Sequence, residues 1–187
     1  MVSSLLLSVA LLTSAQTSTT HSASFDIPSG QEIRMDLSAG EYEIVGGAEG
    51  KVRVSWSGGG RHADNVKVRF KAESGRTKLE TDDTKDVHVV IQVPSRSDLH
   101  IRLTAGELSV SGIEGNKDIG MTAGELRINV GDPENYRDVY SSVRIGEITA
   151  KPFNMKKEGF FRGIDYNGKG TYSLRATVGV GEVILAR

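Results

Sequence analysis

From Phe25 onward, apolar and polar residues alternate with a period of two. Val66, Val68 and Phe70 are separated by Lys67 and Arg69, and Leu99, Ile101 and Leu103 by His100 and Arg102. Successive side chains of a strand point to opposite faces, so this spacing predicts half-buried strands with one apolar and one charged face. Val87 to Val93 is more continuously apolar. That predicts a strand covered on both faces, closed by Pro94, which has no N–H to give to a ladder. Sustained helical spacing is absent; one short turn is expected at Asp132 to Tyr136, where Asp132 can cap and Pro133 suits the first position. Glu73-Ser74-Gly75-Arg76 reads as a hairpin turn. Asn167-Gly168 reads as a second, because both residues tolerate positive φ.

A repeat runs through this pattern. Gly40-Glu41-Tyr42, Gly106-Glu107-Leu108, Gly124-Glu125-Leu126, Gly146-Glu147-Ile148 and Gly181-Glu182-Val183 share a Gly-Glu-apolar core, and the middle three glycines lie 18 and 22 residues apart. Each is flanked by alternating segments. A period of about 20 residues built from short strands is the signature of a solenoid, in which stacked coils bury a face that one coil alone cannot. Gly40, Gly106, Gly124, Gly146 and Gly181 are then its corners, where the chain turns sharply with φ that glycine takes freely. Hairpin insertions fill the longer gaps. An antiparallel sandwich with similar hairpins is the alternative; the near-identical Thr-Ala-Gly-Glu-Leu segments favour the solenoid. Coils in register would align Glu107, Glu125 and Glu147 in a column.

The N-terminal segment has a different character. Leu5 to Leu12 is apolar but far shorter than the ~20 residues that span a bilayer. With Thr13-Ser14-Ala15 behind it, it reads as a secretory signal cleaved after Ala15, although Met1 to Ser4 contains no Lys or Arg. The expected organisation is a signal over 1–15, a Ser/Thr-rich tail over 16–24 and one domain over 25–187. No later stretch reaches transmembrane length. The expected address is therefore outside the cytoplasm: periplasm, cell surface or medium.

Three blocks carry a family resemblance. They are Phe25-Asp26-Ile27-Pro28-Ser29-Gly30 with Gly40 to Gly46, Ile91 to Pro94 followed by Leu99 to Leu108, and Ile164 to Gly170 leading to Val180-Gly181-Glu182-Val183. Their order and their Gly-Glu corners resemble the bacterial putative-adhesin domain family, which is related to the toast-rack solenoids. The resemblance spans about 25–187. It implies an exported, all-β, right-handed solenoid of single-stranded β-helix type, and implies no enzyme.

Composition narrows the chemistry. The 187 residues are 37% hydrophobic with a net charge of −1, which suits one ordinary domain and no dedicated nucleic-acid binder. No cysteine is present, so disulfides, thiolate metal sites and a Cys nucleophile are excluded. A column of corner glutamates could attract Ca²⁺, but the Gly/Asp-rich nonapeptides of calcium solenoids are missing. His21, His62, His88 and His100 are not at ligand spacing; His21 falls in the tail, and His88 and His100 read as strand-face residues. Gly58-Gly59-Gly60 lacks the Lys-Ser/Thr of a phosphate loop and reads as a loop tip. Asp82, Asp83 and Asp86 lie in a turn-like run, not in a pocket that would raise a carboxyl pKa. Lys67, Arg69 and Lys71 face the acidic run Glu80 to Asp83, which reads as cross-strand pairing.

Five of the eleven aromatic residues fall within twenty positions: Phe153, Phe160, Phe161, Tyr166 and Tyr172. They read as a cap over an open solenoid end. Phe160, Phe161, Arg162, Tyr166 and Tyr172 form the alternative, a partner patch of the aromatic and Arg types that dominate binding surfaces. The function expected from all this is a non-catalytic, adhesin-like envelope or secreted module. It would bind a protein or glycan without cofactor, metal or nucleic acid. An envelope signalling partner and a small carbohydrate-active β-helix enzyme are the other two classes weighed.

Overall fold

A computed structural model describes residues 19–28, 30–58, 61–73, 75–82 and 84–187. The expected signal at 1–15, together with Gly59, Gly60, Asp83 and the His62 side chain, lies outside the described residues.

The fold is all-β, and the described residues form a single sheet of twelve strands. In chain order they are β1 Thr19–Asp26, β2 Glu32–Leu37, β3 Gly40–Gly47, β4 Lys51–Gly58, β5 Lys67–Glu73, β6 Arg76–Asp82, β7 Val87–Pro94, β8 Asp98–Ser111, β9 Lys117–Asn129, β10 Tyr136–Ala150, β11 Met155–Asn167 and β12 Tyr172–Ala186. A short helix α1, Arg61–Asn65, follows β4. The expected turn forms as a 3₁₀ segment over Pro133–Asn135, capped by Asp132.

Strands β8, β9, β12 and β10 stack parallel and in register, each bent at its own Gly-Glu. The register aligns Gly106, Gly124, Gly181 and Gly146 in that order, and Gly40 of β3 pairs with Gly106. Beyond β8 the sheet divides. The half of β8 before the bend continues into β2, β6 and β5; the half after it continues into β3, β7, β4 and β1. At the other end β11 closes the stack antiparallel to β10.

Each bend turns the two halves of a strand toward one core. Leu99, Ile101 and Leu103 are buried before the bend of β8, and Leu108 and Val110 after it. Tyr136 at the start of β10 meets Phe153, just past its end, edge-on at 6.5 Å. In the other arm, Tyr42 Oη of β3 lies 2.7 Å from Thr81 Oγ1 of β6. The buried apolar residues form one continuous cluster.

Three expectations are corrected. Residues 19–24, expected in a polar tail, belong to β1 and pair with β4 along their length. β7 is not covered on both faces: Val87, Val89, Ile91 and Val93 are buried, whereas His88, Val90 and Gln92 are half-buried. Asn167-Gly168 makes no hairpin, because β11 and β12 flank β10 on opposite sides. The chain instead crosses the start of β10: Gly168 N–H donates to Arg137 O and Thr171 N–H to Asn135 O. A Cβ on Gly170 would collide with the Asn135 backbone, so glycine serves a close crossing there. The bent strands stack out of chain order, since β12 inserts between β9 and β10.

Candidate functional site

The residue before each corner glycine points outward along the line of the bends. In pairing order these residues are Ala105, Ala123, Val180 and Ile145, and β11 adds Phe160 opposite Ile145. They form a ridge that grows in bulk toward the β11 end. Its last members are open to solvent, with exposures of 50% for Val180, 42% for Ile145 and 67% for Phe160; neighbouring Phe161 reaches 80%.

β11 approaches the bend from the opposite direction and turns it differently. Gly159 takes φ +113°, and Phe161 takes φ +50°, which bulky residues rarely adopt. Two side chains brace the turn. Lys157 Nζ donates to Gly163 O at 2.8 Å, and Arg162 Nε donates to Glu158 O at 2.9 Å.

The structure therefore divides the predicted aromatic set. Phe160, Phe161 and Arg162 stand on the surface of the bend. Tyr166 lies against Phe153 at 4.7 Å, and Tyr172 meets Tyr136 edge-on at 6.4 Å; both pack on the core. Phe153 and the tyrosines close the core at this end of the stack, while the two exposed phenylalanines stand outside it.

A polar groove of about 630 Å³ crosses the outer face of the halves before the bend. Arg69, Arg102, Thr104, Gly120, Thr122 and Thr177 line it. Gly120 opens its floor, since the strand there carries no side chain. A second groove, of about 590 Å³, shares Met121, Thr122 and Thr177 with the first and ends at Phe161 and Arg162. The charges along the first are fixed in pairs. Arg102 holds Asp118 through contacts of 3.2 and 3.0 Å, with His100 Nδ1 at 3.2 Å. Arg69 lies 3.0 Å from Glu80 and 2.7 Å from Asp82, the cross-strand pairing expected for that basic face. Burial pulls the Asp118 carboxyl upward, but hydrogen bonds and charge from Arg102 outweigh it and leave it below its ordinary value. Hydrogen bonds from Lys78 and then Arg69 hold Glu80 low as well. These carboxylates are stabilised in the ionised form, the reverse of a general acid.

The corner glutamates do form a column, longer than expected: Glu41, Glu107, Glu125, Glu182 and Glu147 lie in register. Its members have different neighbours. His88 Nδ1 is 3.0 Å from Glu41, Arg127 is 2.9 Å from Glu125, and Lys156 is 2.9 Å from Glu147. Among the described residues, no three His, Cys, Asp or Glu side chains group as metal ligands. His88 and His100 sit on strand faces as expected; His21 is in β1, stacked on Trp56 at 5.6 Å.

Sequence reasoning misses the buried Lys117. Its ammonium donates to Gly115 O at 3.0 Å and to Tyr136 Oη at 2.9 Å. The available signal is its inward position in the alternation of β9, in register with Leu99 and Leu174.

No family model matches the chain, and no curated protein does. Solved structures do. A putative cell adhesion protein from Clostridium sporogenes superimposes with a TM-score of 0.57 at 12% identity, over 90% of this chain and 99% of that one. A putative adhesin from Bacteroides fragilis is matched over 91% of this chain and 98% of that one, at 10% identity and a TM-score of 0.28. The first of these shows a shared fold.

Proposed function

We propose that the chain, which shares the fold of the bacterial putative adhesins, is an exported, non-catalytic, adhesin-like module of the cell envelope. In this reading it is a short right-handed β-solenoid that holds a protein or glycan partner and is released from a signal ending at Ala15. The polar groove across the stack is the observation that carries it. Thr104, Thr122 and Thr177 offer hydroxyls on rigid, in-register strands, and the flanking arginines and carboxylates already satisfy one another. Such a surface holds a hydroxyl-rich chain by shape and hydrogen bonding. Its ionised carboxylates are poor proton donors, which argues against glycoside cleavage. The name of the Clostridium sporogenes neighbour, a cell adhesion protein, agrees with this reading.

Two measurements test it together. Fractionation with protease treatment of intact cells should find the protein outside the cytoplasm; retention inside would overturn export. A panel of envelope and neighbour-cell glycans should retain the purified domain, and Thr122→Lys with Thr177→Lys, exposed and half-buried strand positions, should abolish retention without lowering the melting temperature. Retention that survives a blocked groove would move the site elsewhere.

A further inference from the structure

The exposed ridge at the β11 end is costly for a protein that keeps it in water. Val180, Ile145, Phe160 and Phe161 are contiguous, and Phe161 is held in a strained backbone region with its ring almost fully outside. Strain and exposed apolar surface together mark a site completed by something else.

The charges on either side of the ridge identify what that is. On the flank after the bend stand Glu147, Glu158 and Glu182, in register on adjacent strands, with Lys156 among them. On the flank before the bend stands Arg144, exposed beside the ridge. Among the described residues, Arg144 has no carboxylate partner. An apolar ridge between an acidic and a basic flank complements itself. A two-fold axis along the ridge lays Phe160 and Ile145 against their own copies and places each acidic flank on the partner's basic one. Glu147 and Glu158 then face Arg144 of the second copy. An anionic bilayer fits less well, because the glutamates run the length of the ridge.

We infer that a second copy of this chain docks on the ridge, ridge to ridge about a two-fold axis, sealed by Phe160 and Phe161 and oriented by Arg144 of each copy against Glu147 and Glu158 of the other. The contact is isologous, so it closes as a dimer and does not run on into a fibre. It leaves the polar groove of each copy open, and stands whatever that groove binds.

Sedimentation velocity of the purified domain from 1 to 100 µM, with thermal melts of every variant, tests it. The wild type should pass from monomer to dimer across about this range, since the patch is small for a permanent interface. Phe160→Ser with Phe161→Ser should remain monomeric at 100 µM with an unchanged melt. Arg144→Glu makes both flanks acidic, and Glu147→Lys with Glu158→Lys makes both basic; each should be monomeric alone, and an equimolar mixture should dimerise. The inference is overturned by a wild type that is monomeric throughout, by a dimer indifferent to the phenylalanine variant, or by a mixture that does not associate. Phe-dependent sedimentation of the monomer with phosphatidylglycerol vesicles would overturn it in favour of a membrane surface.

Discussion

Lys117 occupies an inward position of β9 with only 2% of its surface exposed. Its two hydrogen bonds go to neutral acceptors, so burial dominates and the ammonium pKa falls from 10.5 to about 8. Tyr136, the acceptor of one bond, is pushed the other way by burial, from 10 to about 12. The signs differ in consequence. Below pH 8 both folded and unfolded chains carry the Lys117 proton, and the cost of the buried charge is fully present. Between pH 8 and 10.5 the folded chain releases that proton first, so stability rises, by up to about 3 kcal/mol at roughly 1.4 kcal/mol per pH unit. Between pH 10 and 12 the unfolded chain loses the Tyr136 proton first, and stability falls. Urea midpoints taken from pH 7 to 12 should therefore peak near pH 10. Lys117→Met should erase the rise and keep the fall. A wild-type midpoint that declines steadily above pH 8 would show that Lys117 reaches water.

At the scale of the strand, the glycine column decides whether rungs can stack. Gly124 takes φ +123°, and a Cβ there would land on the carbonyl oxygen of Gly106 in the next strand. Replacement by alanine therefore meets both a forbidden backbone region and a backbone clash that no rotamer relieves. Gly124→Ala should cost about 3 kcal/mol or more, read as a loss of folded protein or a collapsed urea midpoint. Unchanged stability would mean that the corners are not in register. This part of the architecture was legible in the sequence, because a corner needing glycine leaves the same residue at the same place in every rung. The alternation was legible for the same kind of reason: burial on one face selects residue type two positions at a time. Asn167-Gly168 misled because a glycine read as a turn can equally serve a close crossing, and only the neighbouring strand distinguishes them. The first strand was hidden by its composition. Thr-Thr-His-Ser-Ala-Ser is polar because an edge strand over Trp56 and β4 buries little, not because it lacks a partner. The candidate site was half legible: the aromatic cluster stood out, but its division into core-closing tyrosines and exposed phenylalanines depends on which way β11 bends.

For the whole molecule, the order of the strands matters more than their number. A stack built in chain order would lose one rung when its C-terminal strand is removed and keep the rest. Here β12 is an interior member, paired with β9 on one side and β10 on the other, and β9 and β10 do not pair with each other. Nothing in the repeat could reveal this, because the Gly181 segment fits any place in the column equally well. β12 also brings Leu174, Ala176, Val178, Val183 and Leu185 into the core. At about 1.5–3 kcal/mol for each of the four larger side chains, that burial is of the same order as the ~5–15 kcal/mol net stability of a domain. A chain ending at Gly170 should consequently fail as a unit: β10 and β11 should lose hydrogen-exchange protection together, and the cooperative melt should vanish. A peptide spanning 171–187, added in trans, should restore both, because it supplies the interior strand with which β9 and β10 both pair. If the truncated chain instead kept protected amides in β10 and a sharp melt, β10 would have to rest directly on β9, and the crossing at Gly168 and Gly170 would have no purpose.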